Sequence, residues 1–183
     1  MPVNPYFIPI SAFLAKNCFI FLLHSILYFL FIFLPCAKLI PMNKNGPVVV
    51  IEDDEDDQLI LTDIFKKLNY RNSIVFFSDG NEALAYLNKT DIVPFLILSD
   101  INMPRINGFE LRSKVATNEQ LHIKCIPYLF FSTAANRKSV IDAYAMSVQG
   151  FFIKPHSVAK LESTIKTIME YWKECIAPSE FVE

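Results

Sequence analysis

The stretch that decides the fold is Pro94-Phe95-Leu96-Ile97-Leu98-Ser99-Asp100-Ile101-Asn102-Met103-Pro104-Arg105-Ile106-Asn107-Gly108. It opens with a short apolar run, and a run of this kind predicts a strand that is buried on both faces. Asp100 then lies at the carboxyl end of that strand, the edge at which open α/β sheets bind their ligands. An isolated aspartate here would more often be a loop residue or a helix cap. Its role therefore depends on which other residues reach the same edge.

Four further strand-and-helix units accompany this stretch. Apolar runs predict strands over 48–51, 73–77, 126–131 and 150–153. Each strand is followed by apolar residues at helical spacing, and the last helix is predicted to begin near Ser157. Strands that alternate with helices indicate a parallel sheet with right-handed crossovers. The predicted fold class is α/β and flavodoxin-like, a doubly wound five-stranded parallel sheet in the order 2-1-3-4-5 with helices on both faces.

The first 41 residues differ from the rest of the chain in composition. Only two lysines in residues 1–41 are charged, and 17–37 is an apolar span of about the length that crosses a bilayer as a helix. Three alternatives stay open: a transmembrane anchor, a cleaved signal peptide, and a start assigned too far upstream, with Met42 as the true first residue. The predicted organisation is a hydrophobic leader over 1–41, a folded domain over 42–177 and a short tail over 178–183.

Charge and cysteine content restrict partners and location. The formal net charge is −2, so no basic field favours nucleic acid as a partner. The four cysteines form no CxxC pair and show no metal-ligand spacing with the three histidines. We therefore expect reduced thiols and a cytoplasmic location, with tethering to a membrane only if residues 1–41 belong to the natural protein.

Six consecutive acidic residues, 52–57, follow the first predicted strand. Glu55, Asp56 and Asp57 are interpreted as a solvated helix start, where carboxylates suit the positive end of the helix dipole. That interpretation explains Glu52 and Asp53 less well, because they come directly after a buried strand. These two residues are predicted to lie at the edge of the sheet.

Polar residues also end the third, fourth and fifth strands. Parallel strands in this order bring Glu52 and Asp53 to the same edge as Asp100, Ser132 and Lys154. Unit charges ~4 Å apart repel by about 4 kcal/mol at an effective dielectric constant of 20, so the carboxylates need compensation. A Mg²⁺ ion and the Lys154 ammonium would supply it. An acid cluster, a metal, a lysine and a hydroxyl around a central aspartate predict phosphoryl transfer to a carboxylate.

From about residue 48 to residue 172 the chain resembles the receiver domains of two-component response regulators. Four short motifs in order, each at a strand end, carry the resemblance: Glu52-Asp53, Asp100 within Asp-Ile-Asn-Met-Pro-Arg-Ile-Asn-Gly, Ser132-Thr133, and Lys154-Pro155.

The resemblance implies a phosphoacceptor and a set of metal ligands. Asp100 would accept a phosphoryl group from a histidine kinase or a histidine phosphotransfer protein. Asp53 and Asp100 would bind Mg²⁺ directly, Glu52 would act through a metal-bound water, and Asn102 would contribute its backbone carbonyl.

The resemblance also implies how the phosphoryl group is held and sensed. Ser132 would hydrogen-bond the phosphoryl group and move toward it, and Lys154 would pair with a phosphoryl oxygen. Phe151 would be the aromatic switch residue that turns inward when Ser132 moves. A cis peptide bond before Pro155 would help to aim Lys154, since cis bonds occur essentially only before proline.

Two other functions stay open at this point. A haloacid-dehalogenase-like phosphatase also uses a nucleophilic aspartate and Mg²⁺, but it needs a second aspartate two residues later, where this chain has Asn102. A phosphate-independent interaction module would keep the fold without the chemistry.

Because 178–183 is too short for an output domain, we expect a stand-alone signalling domain rather than a turnover enzyme. Its unknown downstream partner would bind the face formed by the fourth helix, the fifth strand and the fifth helix.

Overall fold

The computed structural model describes residues 41–89, 92–133 and 135–176. The predicted tail and all of the predicted leader except Pro41 lie outside these residues. In the part of the chain that is described, no helix is long and apolar enough to cross a membrane. The strands are β1 Val48–Ile51, β2 Ile74–Phe77, β3 Leu96–Ser99, β4 Tyr128–Ser132 and β5 Gly150–Ile153. The helices are α1 Glu55–Leu68, α2 Gly80–Lys89, α3 Gly108–Thr117, α4 Arg137–Ala145 and α5 Val158–Glu174, and a four-residue helical turn, Glu119–His122, follows α3.

The five strands form one parallel sheet in the order β2-β1-β3-β4-β5, which confirms the predicted topology. Every residue of β1, β3 and β4 is buried, whereas β2 and β5 at the two edges are partly exposed. The chain order reverses between β1 and β3, which are neighbours in the sheet. Ligand sites in open α/β sheets lie outside the carboxyl ends of the strands at such a reversal.

Helices cover both faces of the sheet, as predicted, because alternate strand residues point to opposite sides. Val49 and Ile51 of β1 belong to the core that α2, α3 and α4 cover. Val48 and Val50 belong to the core that α1 and α5 cover. Each fully buried aliphatic side chain contributes about 1.5–3 kcal/mol relative to an exposed one, so the two cores hold the strand ends in a fixed arrangement.

The connection from β3 to α3 is held tightly against the end of the sheet. Asn107 caps α3 through a capping box in which its side chain accepts the N–H of Glu110 and the Glu110 side chain accepts the N–H of Asn107. A Cβ atom at Gly108 would lie only 2.3 Å from the backbone oxygen of Asp100. Glycine is therefore required here, because the helix start packs directly on the backbone of Asp100.

Candidate functional site

The Asp100 carboxylate lies at the carboxyl end of β3 with its side chain 7% exposed. Its backbone N–H donates to the Ile51 oxygen at 2.9 Å, which fixes the residue to the neighbouring strand β1. The Oδ1 atom accepts the N–H groups of Ile101 at 2.5 Å and Asn102 at 3.4 Å. The Oδ2 atom lies 3.5 Å from the Nζ atom of Lys154. One carboxylate oxygen is thus held by its own loop, and the other faces the site.

Three carboxylates meet at this edge of the sheet. Glu52, Asp53 and Asp100 each offer an oxygen atom, and these atoms lie within 4.8 Å of one another. Glu52 is buried and Asp53 is exposed. Burial raises the pKa of Glu52 to about 7, although the hydrogen bond from Lys154 acts in the opposite direction. The sequence prediction that these three acids converge is consistent with this geometry.

Lys154 enters the same site from the end of β5 with its side chain 8% exposed. Its ammonium contacts the Glu52 carboxylate, lies 2.8 Å from Asp57 Oδ2 and lies 3.5 Å from Asp100 Oδ2. Burial by itself would lower the pKa of Lys154, but hydrogen bonds to Asp57 and Glu52 outweigh it and raise the pKa to about 12. The ammonium therefore stays charged and partly compensates the acidic cluster.

The peptide bond between Lys154 and Pro155 is trans, so the predicted cis bond is wrong. The trans form is preferred by about 0.5–1 kcal/mol even before proline. In this structure Lys154 contacts Glu52, Asp57 and Asp100 with the trans bond, so the cis form is not needed to aim its side chain.

Ser132 and Phe151 occupy the β4 and β5 side of the site. Ser132 is fully buried, and its Oγ atom has no hydrogen-bond partner among the described residues. A buried polar group without a partner costs about 1–3 kcal/mol. Such groups are rare in folded proteins, and a functional role is one reason for them. Phe151 is half-buried, and its ring centroid lies 6.1 Å from that of Phe130 on β4. The movements of Ser132 and Phe151 on phosphorylation stay predictions.

Asn102 is exposed, and its N–H contacts Asp100 Oδ1, so its position agrees with a role near the acids. Its backbone carbonyl as a metal ligand stays a prediction.

Asp57 is the residue that sequence reasoning missed. The interpretation as a solvated helix start agrees with the exposure of Glu55 and Asp56, but it is wrong for Asp57, which forms an ion pair with Lys154. The side chain of Asp54 caps α1 by accepting the N–H groups of Asp56 and Asp57. One feature of the sequence points to Asp57: it lies in the first turn of a helix that follows β1, and β1 ends at the site.

The donor set of the cluster fits a hard divalent cation. Such ions bind carboxylate and carbonyl oxygens, and Glu52, Asp53 and Asp100 supply three carboxylates from two neighbouring strand ends. The Lys154 ammonium contacts Glu52, Asp57 and Asp100, and Asp53 adds a fourth acid to the same region, so the local charge also favours a second cation.

The family model of the response regulator receiver domain matches residues 48–166 of the chain. The chain belongs to the response regulator receiver domain family. This confirms the resemblance stated from the sequence and places the chain in two-component signalling. It also sets aside the haloacid-dehalogenase-like alternative.

Individual receiver proteins agree with this assignment. Chemotaxis protein CheY-3 of Vibrio cholerae is 29% identical over 129 residues, which are 70% of this chain and 95% of that protein. The structure of the phosphorylated cyanobacterial phytochrome response regulator RcpA is 26% identical with a TM-score of 0.65, and the match covers 70% of this chain and 94% of that one. The Mn²⁺-bound form of response regulator Rcp1 is 25% identical with a TM-score of 0.64, and the match covers 72% of this chain and 97% of that one.

Proposed function

We propose that Asp100 accepts a phosphoryl group from a phosphohistidine of a histidine kinase or a histidine phosphotransfer protein. Asp100 Oδ2 attacks the phosphorus atom, a P–O bond forms, and the P–N bond breaks with its electron pair returning to the imidazole. One observation carries the proposal: Oδ2 faces the Lys154 ammonium within a cluster of carboxylates at the switch point of the sheet, while Oδ1 is held by backbone N–H groups. This arrangement orients one oxygen of Asp100 for attack.

Lys154 and Ser132 bind the transferred group in this proposal. The Lys154 ammonium donates to one phosphoryl oxygen, and the buried Ser132 hydroxyl, which has no partner among the described residues, donates to another. Phe151 responds to the displacement of Ser132 by packing further into the aromatic cluster around Phe130.

A Mg²⁺ ion is part of the proposal. Asp53, Asp100 and the Asn102 carbonyl would bind it directly, and Glu52 would act through a bound water. When bound, the ion neutralises negative charge on the carboxylates and on the phosphoryl oxygens.

The output of the domain is a binding surface rather than a turnover reaction. The face formed by α4, β5 and α5 exposes large apolar side chains, among them Ile141, Tyr144 and Ile153 at 56%, 56% and 58% exposure. We assign the downstream protein partner to this face, because its edge strand leads directly to Lys154. The free thiols of Cys125 and Cys175 agree with a cytoplasmic location.

The test is labelling by acetyl phosphate, which supplies a phosphoryl group without a kinase. The wild type is compared with Asp100→Asn and with Asp63→Asn, a matched change at an exposed acid of α1. Wild type and Asp63→Asn should be labelled in Mg²⁺ and unlabelled in EDTA, and Asp100→Asn should be unlabelled in both. Equal labelling of Asp100→Asn and wild type would refute the proposal. A protein that is never labelled would support the phosphate-independent interaction module instead.

A further inference from the structure

Asp57 differs from the other two carboxylates that contact Lys154. Glu52 and Asp100 belong to the cluster that fits a divalent cation, whereas Asp57 lies outside that cluster. Its Oδ2 atom is 2.8 Å from Lys154 Nζ, closer than Asp100 Oδ2 at 3.5 Å. The structure therefore gives the ammonium a strong contact with an acid that the cation does not use.

Lys154 and a divalent cation compete for the same oxygen atoms. An ammonium has three N–H donors, and the three carboxylates around Lys154 match that number. A cation bound directly by Asp100, and by Glu52 through a water, would weaken two of these contacts and repel the ammonium. For the site to bind both positive charges, the ammonium needs a carboxylate of its own.

Asp57 is held in a position where its carboxylate pairs with Lys154. The Asp54 cap fixes the first turn of α1, and the Gln58 side chain donates to the Glu52 backbone oxygen at 2.5 Å, which ties the same turn to the end of β1. The Asp57 side chain is 35% exposed, so it is more accessible to solvent than the buried Glu52 while it pairs with Lys154.

We propose that Asp57 is a positioning residue that holds the Lys154 ammonium and thereby leaves Glu52 and Asp100 available to a divalent cation. The inference deepens the proposed function and rests on it, because it concerns the same cation site. Without the Asp57 charge, Lys154 pairs more fully with Glu52 and Asp100 and opposes the cation.

The test measures Mg²⁺ affinity of the full chain by isothermal titration calorimetry, without any phosphodonor. Asp57→Asn should weaken Mg²⁺ binding by about tenfold, since it removes a charge near the site and redirects Lys154. The matched control is Asp56→Asn, which removes an exposed acid from the same turn that lies outside the three carboxylates on Lys154. It should change the affinity by no more than about twofold, through the screened charge alone.

A second background separates the effect of Lys154 from the effect of charge. In Lys154→Met, adding Asp57→Asn should change Mg²⁺ affinity no more than Asp56→Asn does. Asp57→Glu, which keeps the charge on a longer side chain, should stay close to wild type. Thermal unfolding of each variant is measured as a control, and each should retain a cooperative unfolding transition.

Equal effects of Asp57→Asn and Asp56→Asn would overturn the inference, as would an unchanged effect of Asp57→Asn in the Lys154→Met background. A wild-type chain that binds no Mg²⁺ would instead contradict the cation in the proposed function, so the two failures are distinguishable.

Discussion

Two ion-paired clusters lie at the same end of the sheet and differ in the balance of their charges. At the ends of β1, β3 and β5 and the start of α1, the Lys154 side chain is 8% exposed and its ammonium contacts three carboxylates. After β2, Asp79 is buried and pairs with Arg105 at 2.8 Å, and the Arg105 side chain is 61% exposed. The first cluster has an excess of buried acids around a buried cation, whereas the second matches one acid with one solvated cation.

The difference indicates what each cluster does. Burying an ammonium costs several kcal/mol unless its partners compensate, and the excess negative charge beside Lys154 favours the binding of another cation. The Asp79–Arg105 pair is electrically complete and ties the loop after β3 to the start of α2, where Asp79 Oδ1 also accepts the Asn81 N–H at 2.9 Å. One cluster is thus suited to receive charged ligands, and the other holds a loop in place.

The largest expected effect is on the rate of phosphorylation, which should depend on Lys154 and not on Arg105. Lys154→Met should lower the rate of labelling by acetyl phosphate about a hundredfold, because a hydrogen bond from a charged donor contributes about 1.5–3 kcal/mol. Arg105→Met should stay near the wild-type rate, since Arg105 contacts Asp79 and not Asp100. Comparable losses in both variants would show that the clusters do not differ in this way.

A smaller effect separates the two glycines beside these clusters. Gly108→Ala should destabilise the fold by about 2 kcal/mol in urea unfolding, because the new methyl group meets the Asp100 backbone oxygen at 2.3 Å. Gly80→Ala should cost less than about 1 kcal/mol, since its nearest neighbours are side-chain atoms of Ile106, which can move. Equal costs would mean that the end of β3 yields as easily as the loop beside Asp79.

The smallest effect concerns the backbone of Arg105, whose φ angle of 67° lies in the left-handed region. Arg105→Gly and Arg105→Ala both remove the ion pair, but only alanine keeps the conformational cost. The glycine variant should therefore be more stable by about 1 kcal/mol in the same unfolding measurement. A more stable alanine variant would indicate that the loop changes its conformation once the ion pair is lost.

The sheet order and the meeting of Glu52, Asp53, Asp100 and Lys154 could be predicted from the sequence. The apolar runs locate the strands, and the residues that end parallel strands must share an edge. Topology alone was sufficient for these positions, because each follows its strand directly.

Features that depend on packing could not be predicted in the same way. Whether Asp57 faces Lys154 or solvent is set by the rotation of α1 about its axis, which the burial of Leu61 and Ile64 fixes. The isomer of the bond before Pro155 rests on a preference of about 1 kcal/mol, which tertiary contacts can override. The Asp79–Arg105 ion pair joins two loops, and the spacing of residues in the sequence does not predict that these loops lie close together.

The most direct test of the central claim is to locate the phosphoryl group on the chain. Sodium borohydride reduces an aspartyl phosphate to homoserine, so wild-type protein is treated with acetyl phosphate and Mg²⁺, reduced, digested and mapped by mass spectrometry. We expect homoserine at position 100, and no such product when EDTA replaces Mg²⁺. Homoserine at position 53 or 57, with Asp100 unmodified, would contradict this expectation.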